Sequence, residues 1–134
     1  MTEPVRLTVP RARSFHGVVH LVVGGLAARQ DLPYDALEDL QLALDTLLET
    51  DGYTSGADVT VELAVVEGAL ELAVGPLDAG ALERELSGPD DETRGIGLAR
   101  LLSTVTGGYT REQREGAEWL RLRKELPAKT GGDG

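Results

Sequence analysis

The sequence predicts an α/β fold of the α+β kind: a two-layer sandwich with helices on one face of a mixed, mostly antiparallel sheet. Each candidate strand has a single apolar face opposite a polar one. Such a sheet needs helices on one side only. The elements follow in the order strand, helix, helix, strand, strand, helix, strand, strand. This order and the one-faced strands together predict the sandwich.

The length and composition predict one globular domain. The chain has 134 residues, with 41% hydrophobic and 27% charged residues, which is ordinary for a globular protein. We expect the domain to span residues 1–126, and residues 127–134 have the composition of a flexible tail. There are no cysteines, which excludes disulfides, thiolate catalysis and cysteine-ligated zinc.

The net charge of −10 restricts the partners that we expect. Nucleic-acid binding requires a basic surface, so direct binding is not expected. The charge fits a basic or mixed-charge protein partner, although the acidity also has a simple reading as an aid to solubility. The N-terminus lacks the pattern of a signal peptide, and the longest apolar stretch, 18–28, is too short to span a bilayer. We therefore expect a cytoplasmic protein without a membrane segment.

The N-terminal part predicts a strand and two helices. Val5, Leu7 and Val9 alternate with polar residues, and Pro10 ends this edge strand. Ser14 is the predicted cap of the first helix. The valines and glycines of this segment lower its helix propensity, so a strand is the alternative interpretation, but the length and periodicity favour a helix. Its predicted apolar face is Phe15, Val18, Val19, Val22, Val23 and Leu26. The second helix begins near Pro33, with apolar residues at positions 37, 40, 44, 47 and 48.

The C-terminal part predicts two hairpins separated by helices. Strand alternation from 58 to 65 is followed by a turn at Glu67–Gly68 and a returning strand that ends at Gly75–Pro76. The further predictions are a short helix at 79–86, a polar loop at 87–92, a helix opening at 95–98, a stop at Gly107–Gly108 and a hairpin around 114–116.

The second helix carries a family resemblance. Its run Leu42-Ala43-Leu44-Asp45-Thr46-Leu47-Leu48-Glu49-Thr50 resembles the N box, Leu-Ala-Val-Asp-Glu-Ala-x-x-Asn, of the anti-sigma-factor serine kinase branch of the GHKL ATPase superfamily. The resemblance covers residues 4–126 and implies the Bergerat fold, which agrees with the sandwich inferred from the strands. It also implies two chemical positions: Thr46 replaces the general-base Glu, and Thr50 replaces the Asn that ligates magnesium.

The two replacements remove the groups that the resemblance requires. A threonine hydroxyl has no accessible basic form, so Thr46 cannot accept the proton that a carboxylate accepts. Asp45 and Glu49 each lie one residue earlier, about 100° around the helix, and should not point into the same pocket. Thr50 still offers an oxygen to magnesium but reaches less far than Asn.

Two glycine boxes complete the resemblance. The family's Asp-x-Gly, which holds adenine, corresponds to Pro76-Leu77-Asp78. Pro76 has no side-chain acceptor for the hydrogen bond that the family's Asp accepts from adenine. Losing one charged hydrogen bond costs about 1.5–3 kcal/mol, which corresponds to about 10- to 100-fold in affinity. Arg94-Gly95-Ile96-Gly97-Leu98 resembles the second box, Gly-x-Gly-Leu, where backbone amides bind an anion before a helix. A tight turn into the helix that needs small residues for packing is the favoured interpretation, because the other two motifs have lost their chemical groups.

His16 and His20 lie four residues apart, a spacing that is compatible with zinc. No cysteine and no obvious third ligand accompanies them in the sequence. A structural or surface role is therefore the favoured interpretation, and no metal site is expected.

The sequence predicts a degenerate anti-sigma-factor-like regulator that acts by binding. The resemblance implies a sigma factor or an anti-anti-sigma protein as partner, and a homodimer. Kinase activity is not expected, and no cofactor is expected unless the degenerate site still binds ATP and magnesium. The alternatives are a weak ATP-dependent protein serine kinase and a binding module whose pocket takes another ligand.

Overall fold

The computed structural model describes residues 4–10, 12–50, 58–77, 79–87 and 98–126. Two helices follow the first strand, and two shorter helices separate the two hairpins. The elements are β1 (Val5–Pro10), α1 (His16–Arg29), α2 (Tyr34–Thr50), β2 (Asp58–Val66), β3 (Ala69–Leu77), α3 (Ala79–Ser87), α4 (Leu98–Val105), β4 (Tyr109–Arg114) and β5 (Ala117–Glu125).

The five strands form one sheet in the order β1-β2-β3-β5-β4. Both hairpins pair antiparallel, as short connections require. The start of β2 lies beside the end of β1, where Pro10 is opposite Asp58, because α1 and α2 return the chain to the same end of the sheet. The predicted α+β sandwich is confirmed, but every described pairing is antiparallel, so the expected mixture with parallel strands is corrected.

One face of the sheet carries the core. Val61 lies opposite Val74, and Leu72 lies opposite both Leu63 and Leu122. These side chains are buried and pack with leucines of all four helices in one cluster. Because side chains alternate along a strand, the intervening residues lie on the opposite face, which the helices do not cover.

Helix α2 lies with its predicted apolar stripe against this core. Leu40, Leu44 and Leu47 have no solvent-exposed surface, and Leu48 is nearly buried. Leu42, on the opposite side of the helix, is 49% exposed. The 3.6-residue periodicity therefore identified the buried face correctly.

Helix α1 differs from the expectation at its start and in its buried face. A short 3-10 turn, Arg13–Phe15, precedes it, and Phe15 is the N-cap without a side-chain cap bond, so the predicted Ser14 cap is wrong. The buried residues are Val19, Val23 and Ala27, whereas Phe15 and Val18 are exposed. The helix is apolar on all sides, so periodicity alone could not fix which side faces the core.

The turns of both hairpins lie where the sequence places them. Glu67 and Gly68 have φ angles of 50° and 79°, and Glu115 and Gly116 have 53° and 81°, the conformation of tight hairpin turns. The predicted end of β3 is wrong, because the strand continues past Pro76 to Leu77. It does so through a cis Gly75–Pro76 peptide and a register shift, a setting in which a strand tolerates proline.

The remaining predictions fall partly outside the described residues. The short helix at 79–86 is confirmed as α3, and α4 ends before the predicted stop at Gly107. The loop at 88–92 and the tail at 127–134 lie outside the described residues, so the proposed domain boundary stays a prediction. None of the described helices has both the length and the apolar composition needed to cross a bilayer.

Candidate functional site

Thr46 lies on α2, next to the leucines that anchor the helix. It is partly buried, and its Oγ1 donates a hydrogen bond to the carbonyl oxygen of Leu42, 2.8 Å away. This bond back to the preceding turn is a common arrangement for threonine in a helix. The hydroxyl proton is therefore held by the helix itself, and the position presents no carboxylate.

Asp45, one residue earlier, is directed toward α1. Its Oδ1 lies 2.7 Å from His20 Nε2 and 3.8 Å from His16 Nδ1. Gln41 Nε2 also donates to the carbonyl oxygen of His20 at 3.2 Å. Polar contacts thus join α1 and α2 in addition to their apolar packing, and Asp45 makes two of these contacts.

The contact of Asp45 with His16 and His20 was not predicted from the sequence. The signal was present, since two histidines four residues apart form one row on a helix, but the facing residue depends on how α1 packs on α2. Within the described residues no group of three or more potential ligands is arranged to hold a metal ion. Through its contact with Asp45, His20 takes part in the packing of α1 on α2, and the expectation of no metal site stays a prediction.

Much of the predicted nucleotide pocket is not part of the described structure. Asp78, Arg94, Gly95 and Gly97 lie outside the described residues. Leu98 begins α4 and Thr50 ends α2, but only their backbones are described. Their assignment to a pocket stays a prediction.

Pro76 and Leu77 are the described members of the first glycine box, and Leu77 is buried in the core. Pro76 is the member that faces a cavity. It lines a cavity with Trp119 and two arginines, Arg6 and Arg114, and these three side chains belong to the helix-free face of the sheet. Thr46 is not among the residues that line this cavity. The register shift between Val74 and Leu77 is the local reason that Pro76 takes this place.

The helix-free face carries a lattice of arginines and glutamates across all five strands. Glu62 accepts hydrogen bonds from Arg6 Nε and from Arg114 Nη1, both at 2.8 Å. Glu71 accepts from Arg121 Nη1 at 3.2 Å and from Arg123 Nη1 at 3.0 Å. The alternation of charged residues with leucines in β5 is evident in the sequence, but the strand order decides which charges meet.

These contacts shift the acid–base properties of the lattice. Hydrogen bonds from Arg121 lower the pKa of Glu112, although partial burial opposes the shift. The pKa of Glu62 is also lowered: burial alone would raise it, and the hydrogen bonds from Arg114 and Arg6 outweigh that effect. Both carboxylates are consequently charged at neutral pH and hold the arginines in place.

The fold and the site together define a class of protein. It is an α+β sandwich whose second helix resembles the N box but has Thr46 in place of the general base. No protein-family model matches the chain. Among curated proteins, serine-protein kinase RsbW from Halalkalibacterium halodurans is 32% identical over 101 residues. The match covers 70% of this chain and 62% of that protein. The predicted resemblance to the anti-sigma-factor serine kinase branch is confirmed, and the chain spans less than two thirds of the length of this relative.

Proposed function

We propose that the protein is an anti-sigma-factor-like regulator of the cytoplasm that acts by binding a sigma factor or an anti-anti-sigma protein, without transferring phosphate. The resemblance to a serine-protein kinase supports the family of partners. The observation that carries the loss of catalysis is Thr46, whose hydroxyl donates to Leu42 at the position where the family has a general base.

The neighbouring carboxylate of Asp45 does not replace the missing base. Asp45 is held by His20 at 2.7 Å and lies about 100° around the helix from Thr46. A general base must come within hydrogen-bond reach of the proton that it removes. A carboxylate that is engaged between α1 and α2 does not meet this requirement.

A protein partner is supported by the outer side of α1. This helix has 14 residues, and its one charged residue is Arg29 at the C-terminal end. Leu21 is 77% exposed and Val18 is 42% exposed, so the helix is apolar toward solvent as well as toward the core. Contiguous exposed apolar surface is typical of interaction sites, and we propose this side of α1 as the surface that the partner covers.

The first experiment titrates the purified protein with magnesium-ATP in a calorimeter. We expect no binding at sub-millimolar concentration, because the adenine and magnesium positions have lost their groups. The matched comparison is the double variant Thr46→Glu, Thr50→Asn, which restores the N box. Clear micromolar binding by the unmodified protein would contradict the proposal and favour the weak kinase.

The second experiment uses the purified protein to capture its partner from native cytoplasm. The affinity between the protein and this partner is then measured. We expect equal affinity with and without magnesium-ATP or magnesium-ADP, because a ligand that scarcely binds cannot shift a conformational equilibrium. Leu21→Glu should weaken binding by about tenfold or more, or about 1.4 kcal/mol. Glu125→Gln, on the helix-free face, is the control and should leave affinity unchanged. A tenfold effect of nucleotide would show that the pocket is still a switch.

A further inference from the structure

A cavity of about 260 Å³ opens on the helix-free face, beside the β4–β5 turn. It lies on the opposite side of the sheet from α1 and α2, so it is separate from Thr46 and from the surface proposed for the protein partner. Its lining combines apolar groups with two guanidinium groups. The lining residues are Arg6, Pro76, Arg114, Glu115, Ala117 and Trp119.

Trp119 forms the apolar wall and is held in one orientation. The indole is only 9% exposed and lies directly on β3 where Gly75 has no side chain. A Cβ added at Gly75 would come within 2.3 Å of the indole Cδ2. On the ring, the guanidinium carbon of Arg114 lies 4.3 Å from the centroid, within the range of a cation–π contact. The aromatic wall is thus preorganised.

The two guanidinium groups are also fixed, because they share one carboxylate. One oxygen of Glu62 accepts from Arg6 and the other accepts from Arg114. Glu62 is 18% exposed, whereas Arg6 is 65% exposed. A guanidinium has five N–H donors, and the described contacts of Arg6 use Nε and Nη2. Arg6 can therefore donate to a further anion at the mouth of the cavity.

We propose that this cavity binds a carboxylate attached to an apolar group. The carboxylate accepts hydrogen bonds from the remaining N–H groups of Arg6, beside the Arg114 guanidinium, which Glu62 and Glu112 already hold. The apolar group packs on Pro76, Ala117 and the exposed edge of Trp119, since Gly75 and Arg114 lie against the indole ring. Glu62 and Glu115 together balance the formal charges of Arg6 and Arg114, which favours a monoanion over a phosphate dianion. The volume accommodates one side-chain-sized group, so the ligand is either a small free acid or the terminal residue of a peptide.

Trp119 is the one tryptophan of the chain, so its fluorescence reports directly on the cavity. The probes are phenylacetate, its neutral amide phenylacetamide, and acetyl-alanyl-phenylalanine with a free or an amidated C-terminus. We expect saturable changes in emission with the two carboxylates and none with the two amides. A tighter Kd for the peptide than for phenylacetate assigns the site to a peptide terminus, and the reverse order assigns it to a free acid.

Two variants separate the proposed contact from general effects on the fold. Arg6→Gln should weaken carboxylate binding by about tenfold, or about 1.4 kcal/mol, while leaving the thermal melt almost unchanged, because Arg6 is exposed. Arg123→Gln removes an arginine that is paired with Glu71 and Glu125 on the same face, away from the cavity, and this variant should bind as the unmodified protein does. Three outcomes would each overturn the proposal. The first is equal binding of acid and amide, and the second is unaltered binding by the Arg6→Gln variant. The third is the absence of a saturable change up to about 10 mM, a concentration at which binding would be worth under 3 kcal/mol.

Discussion

The two faces of the sheet are built by the same five strands and have opposite chemistry. In β5, Leu120 and Leu122 have no exposed surface, whereas Arg121 and Arg123 have about a third of their side chains exposed. The covered face consists mainly of leucines and valines that meet the helices. Its charged residues include Arg111, Glu118 and Lys124; Glu118 is paired with Arg111 at 3.0 Å, and Lys124 lies 3.9 Å from Asp39 of α2.

This difference indicates where stability and recognition reside. Removing apolar surface from water contributes about 25 cal/mol per Å², so the covered face supplies most of the folding free energy. Partly exposed ion pairs contribute about 0–1 kcal/mol each. Substitutions of charged residues on the helix-free face should therefore change the free energy of unfolding little. This face can accommodate a binding cavity without a large loss of stability.

The largest contrast between the faces is expected from truncation. Leu44→Ala removes a side chain with no exposed surface, and we expect it to lower the free energy of unfolding by about 2–5 kcal/mol. Arg121→Ala, on the other face, should lower it by about 1 kcal/mol or less. Urea unfolding followed by circular dichroism measures both values.

Leu42→Ala is the matched control for the helix. It is the same substitution on α2, but at a side chain that is 49% exposed, so its effect on unfolding should be small. If Leu44→Ala and Arg121→Ala destabilise equally, the division of roles between the two faces is wrong.

An intermediate effect is expected where the helix-free face is most tightly packed. In Gly75→Ala the new methyl group would lie 2.3–2.6 Å from three indole atoms of Trp119, so the ring must move. Such overpacking costs about 1–3 kcal/mol, and tryptophan emission should shift as the indole becomes exposed. The control is Gly25→Ala in α1, where nothing lies within 4 Å of the added carbon; it should be neutral or stabilise by up to about 1 kcal/mol. Identical behaviour of the two variants would contradict the packing of Trp119 on Gly75.

The smallest effect concerns the charges and depends on pH. Because Arg121 lowers the pKa of Glu112 in the folded state, the ionised carboxylate stabilises the fold above its unfolded pKa of about 4.3, and this contribution is lost as pH falls through the folded pKa. Glu112→Gln should therefore lower stability by about 1 kcal/mol or less at neutral pH, and the difference should shrink below about pH 4. Thermal melts across pH measure it. Gln113→Ala on the same strand is the control; a pH-dependent difference there, or a constant one for Glu112→Gln, would argue against the ion-pair assignment.

Several features of the fold followed from local patterns in the sequence. The stripe of α2 was predictable because leucines recur with the helical period while polar residues fill the other side. The hairpin turns were predictable because Glu67–Gly68 and Glu115–Gly116 supply the residues that left-handed turn positions accept. The buried face of α1 was not predictable, because a helix that is apolar on all sides shows no preferred side in its periodicity. The end of β3 was misread because proline usually ends a strand, and the register shift that accommodates Pro76 depends on β5.

By itself the sequence determined the elements, the face of each strand that enters the core, and the absence of a carboxylate at Thr46, since these depend on residue type and on spacings within one element. The tertiary structure alone decided which distant residues meet. Strand order placed Glu62 of β2 between Arg6 of β1 and Arg114 of β4, and helix packing brought Asp45 to His20. Such contacts join residues far apart in the chain, and side-chain chemistry allows many partners for each charge. Only the geometry of the packed sheet and helices selects one.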